Sequence, residues 1–130
     1  VPKISGFIAP SITTFWNINP SYRVFEYSKD TFEILDYHQY HLDLEQSYAT
    51  SKLVWVYAYS FKDRYSLNAL RPGDLYALIK RFQEDDTLFQ KWLASYYTGR
   101  PHSSCDFLCK RKMLCSLRAS TYQDYLECLL

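Results

Sequence analysis

Residues 9–23 read APSITTFWNINPSYR and separate two apolar runs of the chain. Pro10 and Pro20 cannot donate a hydrogen bond to a neighbouring strand, so we expect strands on either side to stop at or near them. The stretch between is then a loop of small polar residues that carries Phe15 and Trp16. Loops held between strands are common places for binding groups, and the alternative is that these two rings plug a core beneath the loop.

Strand-like patterns flank this loop on both sides. Residues 3–9 form the first predicted strand. Residues 22–27 and 31–42 form a predicted hairpin, because Ser-Lys-Asp at residues 28–30 is typical of a turn and both flanks are rich in aromatic and β-branched residues. An apolar strand at the very start of a chain needs neighbours on both sides. The chain also begins without Met, so we expect Val1 to be a cut or processed end with an upstream part missing.

Beyond residue 44 the apolar period changes from about two to between three and four, which is typical of helices. Five stretches share this spacing and are predicted helices: residues 51–65, 75–82, 88–96, 106–117, and a last helix opened by Ser120 with Gln123 as its capping-box partner. Gly99 stands where a helix end favours a left-handed residue. The sequence therefore predicts an α+β fold, with strands and loop in residues 1–44 and a helical subdomain in residues 45–130.

The charge balance excludes one class of partner. Lys and Arg number 15 and Asp and Glu number 14, and basic residues cluster only at residues 110–112, so no nucleic-acid surface is expected. Thirteen Tyr and eight Phe predict a large buried area and adhesive exposed faces. No apolar run approaches the length of a membrane span, so any membrane contact is expected to be peripheral.

Four cysteines, at positions 105, 109, 115 and 128, lie together near the end of the chain. Their spacing is not that of a zinc ribbon or a thioredoxin-like site. An even number of cysteines in one terminal segment favours disulfides formed in an oxidising compartment. The alternative is a metal site built from the cysteines and His102.

Recognisable catalytic motifs are absent from the sequence: we find no nucleophile elbow, phosphate-binding glycine loop or zincin motif. His38 and His41 lie three residues apart in a predicted strand, so their side chains should point to opposite faces and not converge on a metal. The carboxylates are not paired with a histidine in any familiar arrangement. The chain alone is therefore not expected to be a self-sufficient hydrolase.

Several motifs together carry a family resemblance. Ala-Pro-Ser at residues 9–11, Thr-Thr-Phe at residues 13–15 and Asn-Pro-Ser-Tyr-Arg-Val at residues 19–24 follow one another in this order. They resemble the segment of acid sphingomyelinases that follows the last metal-binding Gly-His-x-His motif of that family. Residues 85–99 are similar to the family's helical C-terminal region, and the four cysteines match its C-terminal cysteine cluster.

The resemblance implies a calcineurin-like metallophosphoesterase that uses two zinc ions to cleave sphingomyelin to ceramide and phosphocholine. Residues 1–44 would be the closing strands of its catalytic sheet and an active-site loop, followed by the disulfide-stapled helical subdomain. The family's metal ligands lie upstream, and none is in this fragment, so neither catalytic nor metal-binding residues are expected here. The upstream catalytic part of the same protein is the expected partner.

The resemblance also implies which cysteines pair and where the protein acts. In the family the first cysteine of the cluster pairs with the second and the third with the fourth, which predicts Cys105–Cys109 and Cys115–Cys128. A lysosomal or secreted location is the corresponding expectation.

Two aromatic residues of the loop are the first candidates for substrate binding. Phe15 falls where the family has a Tyr near the substrate headgroup, so the ring is kept and the hydroxyl is lost. A phosphate hydrogen bond is then not expected, whereas an aromatic surface facing choline is. Trp16 is the second candidate, with the bilayer interface as its alternative environment.

Polar residues of the loop complete the candidate set. Thr14 and Asn19 are candidates for substrate contact, and the alternative for both, as for Thr13, is hydrogen bonding within the loop. For Arg23 we expect a buried salt bridge and not a phosphate contact.

Two other functions remain open from the sequence. Related sphingomyelinase-like phosphodiesterases cleave nucleotides and carry a longer insertion between the positions of Thr14 and Asn19, so the short spacing here favours a lipid. A different class of function is a stand-alone, disulfide-stapled helical interaction module.

Overall fold

The structure, a computed structural model, describes residues 2–130. Within them, three antiparallel strands form one sheet in the order β1-β2-β3, with six α-helices and one short 3-10 turn. The elements in chain order are the 3-10 turn Phe15–Asn17, β1 Ser21–Tyr27, β2 Ile34–Leu42, α1 Leu44–Thr50, β3 Trp55–Ser60, α2 Phe61–Tyr65, α3 Pro72–Glu84, α4 Asp86–Tyr96, α5 Phe107–Arg118 and α6 Tyr122–Leu129. The predicted α+β class is confirmed.

The predicted hairpin is present as β1 and β2, although β2 begins at Ile34 and not at residue 31, so the turn is longer than predicted. Ser21 pairs with His41 at one end and Tyr27 with Ile34 at the other, with a bulge before the turn. The turn itself closes through the Ser28 N–H, which donates to the Glu33 carbonyl at 2.9 Å. Local turn chemistry therefore sets this part of the sheet, as the sequence indicates.

The predicted strand at residues 3–9 is wrong, because this segment has no regular structure. Ile4 and Ile8 are almost fully exposed, and only Phe7 reaches the core. A strand needs a partner along its length. Among the described residues, the nearest backbone hydrogen bond to β1 comes just after this segment, where the Ser21 N–H donates to the Ser11 carbonyl at 2.9 Å.

The predicted helix at residues 51–65 is also wrong over most of its length. Its middle is strand β3, which pairs antiparallel with β2, and only its last turn is helical, as α2. The run Trp-Val-Tyr-Ala-Tyr has strong strand propensity, and pairing with β2 outweighs its helical spacing. The sheet thus reaches Ser60, while the division of the chain near residue 45 stays a prediction.

The remaining predicted helices are confirmed. The Asp85 carboxylate caps α4 by accepting from the Leu88 N–H at 3.0 Å, and Gly99 adopts the left-handed φ of +76° expected after the helix. The last helix begins one residue later than predicted. Its capping box uses Thr121 and Asp124 in place of Ser120 and Gln123.

The core lies between the sheet and the helices. Phe61 stacks on Tyr37 of β2 with ring centroids 4.7 Å apart, and Tyr65 packs edge-on against Phe82 of α3. The fully buried Leu93 of α4 belongs to the same cluster. No helix among residues 2–130 has the length and apolar composition needed to cross a bilayer.

Both predicted disulfides are present. Cys105 pairs with Cys109 at a Cα–Cα distance of 5.2 Å, and Cys115 pairs with Cys128 at 5.7 Å, which joins α5 to α6. His102 stacks on Tyr97 with centroids 4.6 Å apart. The alternative of a metal site from these cysteines and His102 is therefore wrong.

The disulfide that joins the last two helices should stabilise the fold more than the local one. Replacing Cys115 and Cys128 together by Ser should lower the free energy of unfolding by about 3 kcal/mol, because the bond closes a longer loop in the unfolded chain. The matched Cys105 and Cys109 double variant should lose only about 2 kcal/mol. Urea unfolding measures both, and a smaller loss for the first variant than for the second contradicts this ranking.

Candidate functional site

The candidate loop presents its two aromatic rings to solvent. Phe15 is 70% exposed and Trp16 is 81% exposed, and their rings meet edge to face with centroids 5.2 Å apart. The alternative that these two rings pack into the core beneath the loop is therefore wrong. Trp16 and Asn17 have left-handed φ angles of 63° and 56°, a conformation that is costly for a bulky residue. Contacts elsewhere must hold the loop in this shape.

The end of α4 supplies those contacts. The Asn19 backbone N–H donates to Thr98 Oγ1 at 2.7 Å, and Asn19 Nδ2 donates to the Thr98 carbonyl at 3.0 Å. A third bond runs from Arg100 Nη2 to Asn17 Oδ1 at 2.7 Å. Asn19 and Thr98 are both buried. The loop is thus pinned to a helix end 79 residues further along the chain.

The polar candidates of the loop therefore differ in placement. Thr13 bonds within the loop as expected, since its hydroxyl and its N–H both contact Ser11 Oγ. The expectation of a loop-internal partner is wrong for Asn19, whose side chain bonds to Thr98. Thr14 is exposed beside Phe15, and its carbonyl accepts the Asn17 N–H at 3.1 Å. Substrate contact by Thr14 and Asn19 stays a prediction, and burial leaves Asn19 little surface for it.

Arg23 does not form the expected salt bridge. Its Nε donates to Gln39 Oε1 and its Nη1 to the Ile8 carbonyl, each at 2.7 Å, and its guanidinium lies 4.3 Å from the Tyr37 ring centroid. No carboxylate pairs with it in the part of the chain that the structure describes. Burial raises the pKa of Tyr37, so this ring stays a neutral platform for the guanidinium. Arg23 ties the segment before the loop to the sheet.

The two histidines of β2 contact different groups. His38 lies between Glu26, 2.7 Å from its Nε2, and the Tyr57 hydroxyl, 3.0 Å from its Nδ1. His41 lies beside Gly99, where a Cβ atom would approach its ring to 3.5 Å. The two imidazoles therefore do not converge. Among residues 2–130, no three His, Cys, Asp or Glu side chains are arranged to hold a metal ion.

Comparison with known proteins places this arrangement in a family. The family described as the acid sphingomyelin phosphodiesterase C-terminal region matches residues 2–130. The chain belongs to this family. The predicted resemblance is thereby confirmed over nearly the whole length.

Individual relatives agree with this assignment. The chain is 27% identical to sphingomyelin phosphodiesterase A of Dictyostelium discoideum over 98% of its length, and 32% identical to the human sphingomyelin phosphodiesterase over 88%. It is 30% identical over 98% of its length to a cyclic GMP-AMP phosphodiesterase of Mus musculus. The matches cover only 22%, 19% and 31% of these three relatives. The chain thus spans less than a third of each relative's length.

Sequence reasoning located the exposed rings but missed the residues that anchor them. Thr98 and Arg100 follow a predicted helix, and nothing in the motif of the loop points to them. The one usable signal in the sequence is Gly99, which marks a helix end, and the last carbonyls of a helix are free to accept hydrogen bonds from elsewhere, as the Thr98 carbonyl does.

Acid should weaken the fold through His41. Burial lowers the pKa of this imidazole below its usual 6.5, with Asp43 opposing the shift. The unfolded chain therefore takes up a proton as the pH falls through 6.5, whereas the folded chain stays neutral until a lower pH. The free energy of unfolding should fall in that window.

Urea unfolding of the wild type and of His41→Gln at pH 7.5 and pH 5 checks this expectation. His41→Gln should show a smaller loss of stability on acidification than the wild type. An unchanged pH dependence in His41→Gln would contradict the assignment.

Proposed function

We propose that this chain is the C-terminal part of a hydrolase that converts sphingomyelin to ceramide and phosphocholine. The observation that carries the proposal is the pair of exposed rings, Phe15 and Trp16, on a loop pinned by buried hydrogen bonds. Family membership supports it, and the relatives include sphingomyelin phosphodiesterases of three different organisms. The lysosomal or secreted location is part of the proposal, supported by two disulfides.

The two zinc ions of such an enzyme would belong to the upstream catalytic part. The described residues do not fit a metal, because they bring no three suitable side chains together. No chemical step is therefore assigned to this chain. Its contribution is to bind and orient the substrate.

Phe15 would bind the choline headgroup. A quaternary ammonium gains about 0.5 to 2 kcal/mol over the face of an aromatic ring. The ring has no hydroxyl, so it offers this attraction without a hydrogen bond to phosphate. Trp16 lies beside it with its indole exposed, and an indole suits either the substrate or the polar boundary of a bilayer.

A phosphodiesterase that acts on nucleotides is the second candidate. A mouse and a human relative are named cyclic GMP-AMP phosphodiesterases, at 30% and 29% identity. A nucleobase would also stack on exposed rings. The short spacing between Thr14 and Asn19 supports a lipid substrate over a nucleotide. A stand-alone interaction module is less well supported, because the chain spans so small a share of its relatives.

Substrate comparison in the full-length protein tests the proposal. Turnover of sphingomyelin in mixed micelles should exceed turnover of cyclic GMP-AMP at the same enzyme concentration. Activity on the cyclic dinucleotide alone would favour the second candidate, and a folded full-length protein that cleaves neither would overturn both.

The Phe15→Ala variant of that protein should bind sphingomyelin more weakly. We expect the KM to rise roughly 3- to 30-fold, which is the loss of one cation–π contact, with kcat little changed. Because Phe15 is 70% exposed, the melting temperature should stay within about 1 °C.

Phe107→Ala is the matched control, since Phe107 is 80% exposed and belongs to α5 and not to the loop. Phe15→Tyr should keep the wild-type KM. An unchanged KM in Phe15→Ala removes this ring from the proposed site.

A further inference from the structure

A cation from outside the candidate loop is bonded to it. The loop itself, residues 9–22, contains no Asp, Glu, Lys or Arg. Arg100 reaches it from the segment after α4, where its Nη2 donates to Asn17 Oδ1 at 2.7 Å. Asn17 is the last residue of the 3-10 turn that also contains Phe15 and Trp16. The guanidinium is therefore bonded to the same short turn that carries both exposed rings.

The charge of Arg100 has no partner of opposite sign in residues 2–130. None of the ion pairs found there includes it. The segment around it, residues 97–105, also contains no Asp or Glu. Arg71, by contrast, lies 3.5 Å from a carboxylate oxygen of Glu33. Arg100 is half-buried, and a cation in that position without a counterion is well suited to an anionic ligand.

The side chain of Arg100 is also fixed in place. Its Nε is buried and has no hydrogen-bond partner among residues 2–130, and the bond to Asn17 holds one of its two terminal nitrogens. That bond is the one hydrogen bond that the side chain makes in the described part of the chain. A guanidinium presents its N–H groups in a rigid planar fork, which matches two oxygens of one phosphate group. Arg100 therefore keeps unused donors at a fixed position.

The proposed substrate carries two charges that this arrangement suits. The headgroup of sphingomyelin contains a quaternary ammonium and, next to it, a phosphodiester with one negative charge. Phe15 offers an aromatic face to the ammonium but has no hydroxyl for the phosphate. Arg100 supplies a phosphate donor that the loop lacks. A cyclic dinucleotide shares the phosphodiester but has no ammonium group.

We propose that Arg100 binds the phosphodiester group of the substrate while the ring of Phe15 binds choline. This inference deepens the proposed function and rests on it, because it adds the phosphate contact of the same substrate site. Arg100 takes no part in bond cleavage. Its charge-assisted hydrogen bonds stabilise the bound headgroup, and its bond to Asn17 keeps it beside the two rings.

Chemical modification of the wild-type, full-length protein tests the proposal without any substitution. Phenylglyoxal reacts with arginine side chains, and peptide mass spectrometry gives the rate at each site. Phosphocholine at ten times its dissociation constant should slow the modification of Arg100 roughly tenfold, because a bound guanidinium is shielded. Choline should not slow it. Arg118, which is exposed on α5, is the matched control and should react at the same rate in every sample.

The outcomes of the modification experiment separate other roles of Arg100. Equal protection by phosphocholine and choline, or no protection by phosphocholine, overturns the proposal. An Arg100 that does not react in the ligand-free enzyme is already paired with another part of the protein, and this result also overturns it.

Inhibition kinetics of full-length variants give an independent readout. In the sphingomyelin assay, Arg100→Gln should raise the inhibition constant of phosphocholine roughly tenfold or more, which is the loss of a charge-assisted hydrogen bond. The constant of choline should rise no more than about threefold, the effect of the lost bond to Asn17. Arg100→Lys keeps the charge without the planar fork and should lie between the wild type and Arg100→Gln. The control Lys112→Gln removes an exposed charge of α5 and should change neither constant.

A purely structural role predicts a different pattern. If Arg100 only holds the loop through Asn17, Arg100→Gln weakens phosphocholine and choline by the same factor, and this result overturns the proposal. An unchanged phosphocholine constant in an enzyme that cleaves sphingomyelin overturns the role of Arg100 alone. If the enzyme cleaves cyclic GMP-AMP and not sphingomyelin, and Arg100→Gln raises the inhibition constant of guanosine monophosphate, the phosphate contact stands and the proposed function is overturned.

Discussion

The packing of the Tyr37 ring is the contact on which the other parts of the structure depend. Phe61 stacks on one side with centroids 4.7 Å apart, and the Arg23 guanidinium lies 4.3 Å from the ring centroid. Phe7 meets the ring edge-on at 5.9 Å. One buried ring thus joins the central strand to the helices, to the neighbouring strand and to the segment that leads into the loop.

The same assembly explains how a costly loop shape is kept. Arg23 holds the Ile8 carbonyl before the loop, and Asn19 is held by Thr98 after it. Between these two fixed points, Trp16 remains in a left-handed conformation with its ring in solvent. Strain of this kind persists where surrounding contacts determine it, and it concentrates at binding sites. The helical part of the chain therefore acts on the candidate site through the end of α4.

Local chemistry made much of this fold predictable. The β1–β2 hairpin follows from its turn residues and alternating strands, and the helices after Pro72 follow from their apolar spacing and caps. The two wrong predictions, a helix at residues 51–65 and a strand at residues 3–9, have one cause. Each depends on whether a segment pairs with another that is distant in the sequence. Residues 55–60 satisfy a helical spacing and a strand propensity equally, and only contact with β2 decides between them. Residues 3–9 look like a strand, but nothing among the described residues pairs with them.

The candidate site was also predictable only in part. Phe15 and Trp16 were located from the loop sequence, since their neighbours indicate a loop, but the sequence left open whether their rings face solvent or pack into the core. Thr98 and Arg100 were not located from the sequence, because their contact with the loop joins residues far apart in the chain.

The central claim is that the end of α4 holds the loop in its substrate-binding shape. Steady-state kinetics of Thr98→Val in the full-length enzyme test it most directly, because the variant removes the Thr98 Oγ1 acceptor of the Asn19 N–H, changes no candidate substrate contact and leaves both rings intact. The account predicts that the KM for sphingomyelin rises about threefold or more, as expected for a lost hydrogen bond, with kcat within about a factor of two. A KM equal to that of the wild type would contradict it.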